Sequence, residues 1–395
     1  MKKKNKKIFL FLNFLFIILV IATSFYFLNQ NKEIHNKKIS EIQKNNPTIK
    51  DEEIKISLFK NYYNQAVKIV SKMTLEEKVG QLFLVRYDKE NIENFTNLYP
   101  GGYILFAKDF ENHTKETIKE ELETLQNKNK YPLVIGVDEE GGFVTRISRF
   151  SAFRSEKFKS PRAYLEEGGL DLLEKTEKEK AKLLKELGIN LNLAPVADVS
   201  VNENDFINNR TFGKDAKETS LLIEQMVKFA NEEKISSCLK HFPGYGNNVD
   251  THTGIAIDNR SYKELKENDF LPFKAGIRAK VPTILVSHNI ITSIDSNLPA
   301  SLSKNVLKEL RETLKFSGII MTDDLAMEAV KSYVEAKKSV TLALNAGNDL
   351  IITSDFPTMY QEALTAARNK EVSEETINKA VLRIIAWKYS NNLFL

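Results

Sequence analysis

The chain predicts an α/β fold, a single (β/α)8 TIM-type barrel preceded by an N-terminal transmembrane helix and a polar tether. Short apolar runs alternate with longer amphipathic stretches, the pattern of parallel strands joined by helices. Eight such runs can be counted: Gln81 to Val85, Gly102 to Phe106, Leu133 to Val137, Asn190 to Ala194, Ser236 to Leu239, Thr283 to Val286, Gly318 to Met321 and Asp349 to Ile352. They fall within roughly 320 residues, room for a barrel with insertions, since that fold typically takes about 250.

The N-terminus is a separate element. Lys2, Lys3, Lys4, Lys6 and Lys7 precede an almost wholly apolar run from Ile8 to Leu28, long enough to cross a bilayer core. A cleavable signal peptide usually has a shorter apolar region and a small-residue cleavage site after it. Here the run closes on Phe25, Tyr26, Phe27 and Leu28 instead. The only cysteine, Cys238, lies in a predicted core strand, so no lipid-modified Cys follows the run and no disulfide forms within the chain. Residues 1–28 are therefore expected to be an uncleaved signal anchor, with the N-terminus in the cytoplasm and the rest outside, at the cell membrane. Secretion after cleavage is the alternative. Residues 29–57, rich in Asn, Lys, Glu and Gln, have too few apolar groups to pack and read as a tether, leaving 58–395 as the barrel domain.

Composition narrows the partners. The net charge is +4, but residues 1–38 hold eight Lys against one Glu, so the remainder is slightly acidic. It offers no electrostatic footprint for a phosphate backbone, and nucleic-acid binding is not expected. The oligomeric state is not legible.

The helices follow from periodicity and caps. A helical pattern runs from about Ile56 to Met73, and Thr74-Leu75-Glu76-Glu77 then forms a capping box for a short helix. Periodicity is clearest over Leu170 to Leu187, Ser220 to Glu233 and Val306 to Leu314. Ser373 caps a last helix reaching Trp387 and Tyr389, with Glu374 and Glu375 in its first turn favouring the helix dipole.

In such a barrel the reacting groups gather at the C-terminal ends of the strands, so the polar residues after each run are candidates. The densest group is Lys240 to His252: Lys240 and His241 fall at the C-terminal end of the fifth run, and Asp250 and His252 at the far end of a loop broken by Pro243, Gly244 and Gly246. A carboxylate two residues from an imidazole can orient it and favour its protonated form, giving a general acid and base near neutral pH. An ordinary polar loop and a metal site built from His241, Asp250 and His252 are the other readings. Lys240 and His241 are neighbours, and both reach one ligand only where the strand departs from regular geometry, so a bulge or strained peptide is expected there.

The string Lys240-His241-Phe242-Pro243-Gly244 followed by Asp250-Thr251-His252 resembles the loop of family 3 glycoside hydrolases, in their bacterial β-N-acetylglucosaminidase branch. Asp138-Glu139-Glu140-Gly141-Gly142-Phe143-Val144-Thr145-Arg146 resembles that family's Asp-x-Glu-Gly-Gly-Arg-Val-x-Arg motif, with Phe143 where an Arg is usual. Ala194-Pro195-Val196-Ala197-Asp198, Arg210-Thr211-Phe212-Gly213 and Thr322-Asp323-Asp324-Leu325-Ala326-Met327 are similar to three further signatures. Together the matches cover nearly all of residues 70–390. The resemblance implies Asp323 as nucleophile, His252 as acid/base with Asp250 as its partner, and Asp138, Arg146, Arg210, Lys240 and His241 as sugar ligands. It implies a carbohydrate substrate and no cofactor or metal. Asp198 is read as a structural partner for a loop, and His288, after the sixth run, receives no role. The expected activity is retaining, exo-acting hydrolysis of terminal N-acetylglucosamine from cell-wall-type glycans. The rivals are another β-linked sugar, phosphorolysis, or a catalytically silent glycan receptor.

Overall fold

The computed structural model describes Gln30 and residues 57–247, 256–327, 330 and 338–394. The expected membrane anchor over Ile8 to Leu28 lies outside these, as does nearly all of the tether. Among the described residues no helix is long and apolar enough to cross a membrane.

Eight parallel strands form one sheet: β1 (Phe83–Arg86), β2 (Gly102–Leu105), β3 (Val134–Val137), β4 (Leu191–Asn192), β5 (Ser236–Phe242), β6 (Thr283–Val286), β7 (Ile319–Thr322) and β8 (Ile351–Thr353). Neighbours pair in sequence order from β1 to β7, and β8 pairs with β1, Phe83 opposite Ile351. Between β7 and β8 a parallel bridge joins Met321 to Leu350, nearly closing the barrel. The strand interiors are buried on both faces, which is why they read as continuous apolar runs.

Each of the eight predicted runs contains or overlaps a strand, with shifted ends. Gln81 belongs to the preceding helix, Leu75–Gln81, which Thr74 and Glu77 open with the expected reciprocal cap. Its side chain donates to the carbonyls of Tyr99 and Pro100. The predicted start at Leu170 marks the middle of a longer element, Pro161–Glu186, because Gly168 and Gly169 leave helical geometry and interrupt its periodicity. Val306 to Leu314 is not one α-helix; it is Lys304–Lys308 continued by a wider turn, Glu309–Thr313. An additional parallel pair, Ile257–Asp258 with Ile290–Ile291, sits beside the barrel. Both strands are too short for a period to reveal.

The last helix, Glu374–Ser390, packs on the helix Tyr63–Val70. The Trp387 indole donates to Ser236 Oγ, and Lys388 Nζ donates to Gln81 Oε1 at 2.7 Å. Lys388 is fully buried, and desolvation pulls its pKa down to about 7. Between that value and the unfolded one near 10.5 the unfolded chain binds more protons, so this group makes stability rise with pH across that window. The buried ammonium is thus a cost at and below neutral pH. Lys388→Met is expected to raise Tm relative to the wild type most at pH 6, with the difference declining by pH 10. Melting curves at three pH values check this, and a difference independent of pH would contradict it.

Candidate active site

The C-terminal ends of the strands enclose a cavity of about 290 Å³. It is lined by Asp138 and Glu140 after β3, Arg146, Arg210, Lys240 and His241 on β5, and Asp323 and Asp324 after β7. Arg86, Phe106, Met327 and Thr353 complete much of the wall.

The turn after β3 is shaped by three consecutive acids. Asp138 and Glu140 face the cavity, whereas Glu139 is buried beneath it. Glu139 accepts from the backbone N–H groups of Arg146 and Ile147 at 2.7 and 2.8 Å, fixing the segment that carries Arg146. The Asn192 side chain on β4 holds both the N–H and the carbonyl of Glu139. Gly141 and Gly142 have φ of 101° and 66°, and a Cβ on Gly141 would meet the Lys159 carbonyl oxygen at 2.3 Å. Larger residues do not fit that turn. Phe143, the departure from the family motif, is 76% exposed and does not line the cavity.

Glu140 is the hub of the charged wall. Its carboxylate accepts from Lys240 Nζ at 2.6 Å and from Arg210 at 2.7 and 3.0 Å. Lys240 also donates to Asp138 Oδ1 at 2.6 Å, and Arg146 lies 3.9 Å from the other oxygen. Burial pushes the Glu140 carboxyl up, but the Lys240 and Arg210 charges outweigh it and hold it down at about 2. Burial likewise opposes charge on Lys240, and Asp138 and Glu140 hold its pKa above the usual lysine value. The cations of this wall therefore stay charged and fixed in place, suited to donating hydrogen bonds to several hydroxyls of one ring.

Lys240 and His241 both line the cavity although they are adjacent on β5. The expected irregularity is present: the peptide between them is cis, and the pairing with β6 shifts register between Leu239 and Phe242. Asp198 organises this point. It accepts from His241 Nδ1 at 2.8 Å and from the backbone N–H groups of His241 and Tyr245. Arg210 has only donors to offer His241 Nε2 at 3.2 Å, so the tautomer with hydrogen on Nδ1 satisfies both partners. Asp198 thus binds backbone N–H groups of the loop, as expected of a structural partner, and also holds the ring of His241.

Asp250 and His252 lie outside the described residues, between Asn247 and Ala256. The entry to that segment is tightly held. Gly244 and Gly246 have φ of 128° and 57°, and a Cβ on either would approach Asp269 Oδ1 to 2.3 Å or Arg260 Cζ to 2.4 Å. Arg260 in turn bridges the buried carboxylates of Asp258 and Asp269.

After β7, the Asp323 N–H extends the ladder to the Val286 carbonyl, and Asp323 Oδ1 accepts from the Asp324 N–H at 2.8 Å. Asp324 Oδ1 accepts from the N–H groups of Ala326 and Ser354. Burial raises the Asp324 carboxyl above its usual range.

Glu140, Arg86 and Phe106 are among the lining residues not singled out from the sequence. The Arg86 guanidinium lies 4.4 Å from the Phe106 ring centroid and pairs with Asp109. Arg146 lies 5.3 Å from the same ring. Arg86 directly follows the first apolar run, so questioning every strand end would have found it.

This architecture matches known proteins. The chain is 34% identical over 273 residues to a β-hexosaminidase of Haemophilus influenzae, covering 67% of this chain and 75% of that protein. It is 32% identical over 271 residues to one of Hydrogenovibrio crunogenus, covering 67% and 74%. The solved structure of a family 3 β-N-acetylglucosaminidase from Paenibacillus superposes with a TM-score of 0.76 at 26% identity, over 82% of this chain and 64% of that one. The chain thus spans under two thirds of that Paenibacillus enzyme. Residues 74–387 match the model of the glycosyl hydrolase family 3 N-terminal domain, so this chain, with its near-closed barrel and charged cavity, belongs to glycoside hydrolase family 3.

Proposed function

We propose that the protein is a retaining, exo-acting β-N-acetylglucosaminidase. The observation that carries this reading is the convergence of Asp138, Arg146, Arg210, Lys240, His241 and Asp323 on one cavity at the strand ends. The β-hexosaminidase names of its relatives and the Lys240 to His252 string favour N-acetylglucosamine over other β-linked sugars.

In the proposed mechanism the charged wall grips a terminal sugar, and Asp323 attacks its anomeric carbon. The bond to the leaving oxygen breaks as His252 donates a proton to it, leaving a glycosyl ester on Asp323. His252 then removes a proton from water, which attacks the same carbon and frees the carboxylate. Two inversions give net retention. Asp250 orients the imidazole and favours its charged form. The reading extends to cell-wall glycans as substrate and to a membrane anchor over residues 1–28 that holds the barrel outside the cell, supported by the Lys-rich apolar N-terminus.

Aryl β-N-acetylglucosaminide, glucoside and xyloside, each assayed with and without inorganic phosphate, test the proposal. N-acetylglucosaminide should have the highest kcat/KM, and the free sugar should be released whether or not phosphate is present. Faster turnover of glucoside or xyloside, a sugar 1-phosphate product, or no turnover of any substrate would each contradict it.

A further inference from the structure

His288 is completely buried behind the cavity, just after β6, and both of its ring nitrogens are engaged. Nε2 lies 3.1 Å from the backbone carbonyl oxygen of Asp324, and Nδ1 lies 2.7 Å from Ser301 Oγ. A carbonyl only accepts, so Nε2 carries the hydrogen. In the neutral ring Nδ1 then accepts from the Ser301 hydroxyl; the Asp324 carbonyl sets the tautomer, and Ser301 fixes the plane of the ring. Ser301 is itself fixed: its N–H donates to the Ser287 carbonyl, and its own carbonyl accepts from Asn348 Nδ2 at 2.7 Å.

Asp324 is thereby held from two sides. Its side chain is bound by the Ala326 and Ser354 N–H groups, and its backbone carbonyl by His288. Its own N–H is what Asp323 Oδ1 accepts. The orientation of the Asp323 carboxylate thus depends on the orientation of the next residue, which the histidine fixes.

We propose that Ser301 and His288 form a positioning relay that aims the Asp323 carboxylate at the anomeric carbon. The inference rests on the reading of Asp323 as nucleophile. Neither residue lines the cavity. Their effect should appear in the step that forms the covalent intermediate, because small displacements of an attacking group cost rate steeply.

The test uses the full-length protein and a 5-fluoro-N-acetylglucosaminyl fluoride, which glycosylates a nucleophile quickly and leaves it slowly. Labelling rate is followed by intact mass and the labelled residue by peptide mass spectrometry. His288→Leu removes the donor and should slow labelling of Asp323 by roughly 10- to 100-fold. His288→Gln places an amide N–H near the position of Nε2 and should label within about threefold of wild type. Ser301→Ala should slow labelling about three- to tenfold by freeing the ring to tilt away from the Asp324 carbonyl. A glutamine presents no ring nitrogen to Ser301, so the same change should have no effect in the His288→Gln background. A purely structural serine would cost the same in both backgrounds.

The non-additive pattern supports the relay. Equal labelling rates across the set, or an unchanged Ser301→Ala effect beside His288→Gln, would overturn it while leaving Asp323 as nucleophile. A wild-type label on another residue would overturn the nucleophile reading itself. His288→Gln and Ser301→Ala make the test independent of whether His288→Leu folds.

Discussion

Glu140→Gln is expected to lower kcat/KM by about 100- to 1,000-fold, and Glu140→Leu to lower Tm by roughly 5–10 °C as well. Glu140 compensates Lys240 and Arg210 together, each through hydrogen bonds of 3.0 Å or less. Without its charge two buried cations face each other with Asp138 as the remaining acid beside Lys240. Removing one partner of a buried ionic cluster costs about 3–5 kcal/mol because the others stay desolvated and uncompensated. Gln keeps the shape and some hydrogen bonds, so its effect should fall on substrate binding more than on folding. The pH dependence has a definite sign. The folded carboxyl, at about 2, lies below the unfolded value of 4.5, so its contribution to stability is present above 4.5 and lost as pH falls toward 2. Glu140→Gln should therefore flatten the acid limb of the stability profile. Steady-state kinetics and melting curves between pH 3 and 7 check both parts, and wild-type kinetics together with a wild-type acid limb would refute the hub role.

Glu140 also marks the limit of what the sequence made legible. The barrel was readable because each strand is a buried apolar run and each helix an amphipathic one, and Thr74 and Ser373 announced their helix starts by cap chemistry. The end residues of strands were less secure: Gln81 is polar and fits neither pattern, and its backbone continues the helix Leu75–Gln81. At the site, charged residues after strands were legible as candidates, but their mutual pairing was not. Asp138 and Glu140 are two apart, so extended geometry after β3 puts both on one side. That spacing could have separated Glu140 from Glu139, which instead supports the Arg146 backbone. His288 had no legible role because its partners, Ser301 and the Asp324 carbonyl, are 13 and 36 residues away and carry no pattern.

The two halves of the proposed reaction should fail differently. Asp323→Ala leaves no group to form the glycosyl ester, so every substrate should suffer, whatever the acidity of its leaving group, with kcat/KM lower by at least about 10⁴-fold. His252→Ala removes only proton transfer, worth typically about 10²- to 10⁴-fold, and only where the leaving oxygen needs a proton. A dinitrophenyl glycoside leaves as a stable anion, and its bond cleavage should be nearly spared, whereas an alkyl glycoside should show the full loss. With the dinitrophenyl substrate, attack of water on the ester then becomes the slow step, so a burst of phenolate should precede a slow steady state. Azide attacks without being deprotonated, and it should speed that steady state and yield a β-glycosyl azide. Asp323→Ala should give neither burst nor azide product of that configuration. Rapid-mixing kinetics and identification of the azide adduct decide the matter. A His252→Ala variant impaired equally on both leaving groups, with no burst and no azide product, would remove His252 from the acid/base role and leave that proton to another group.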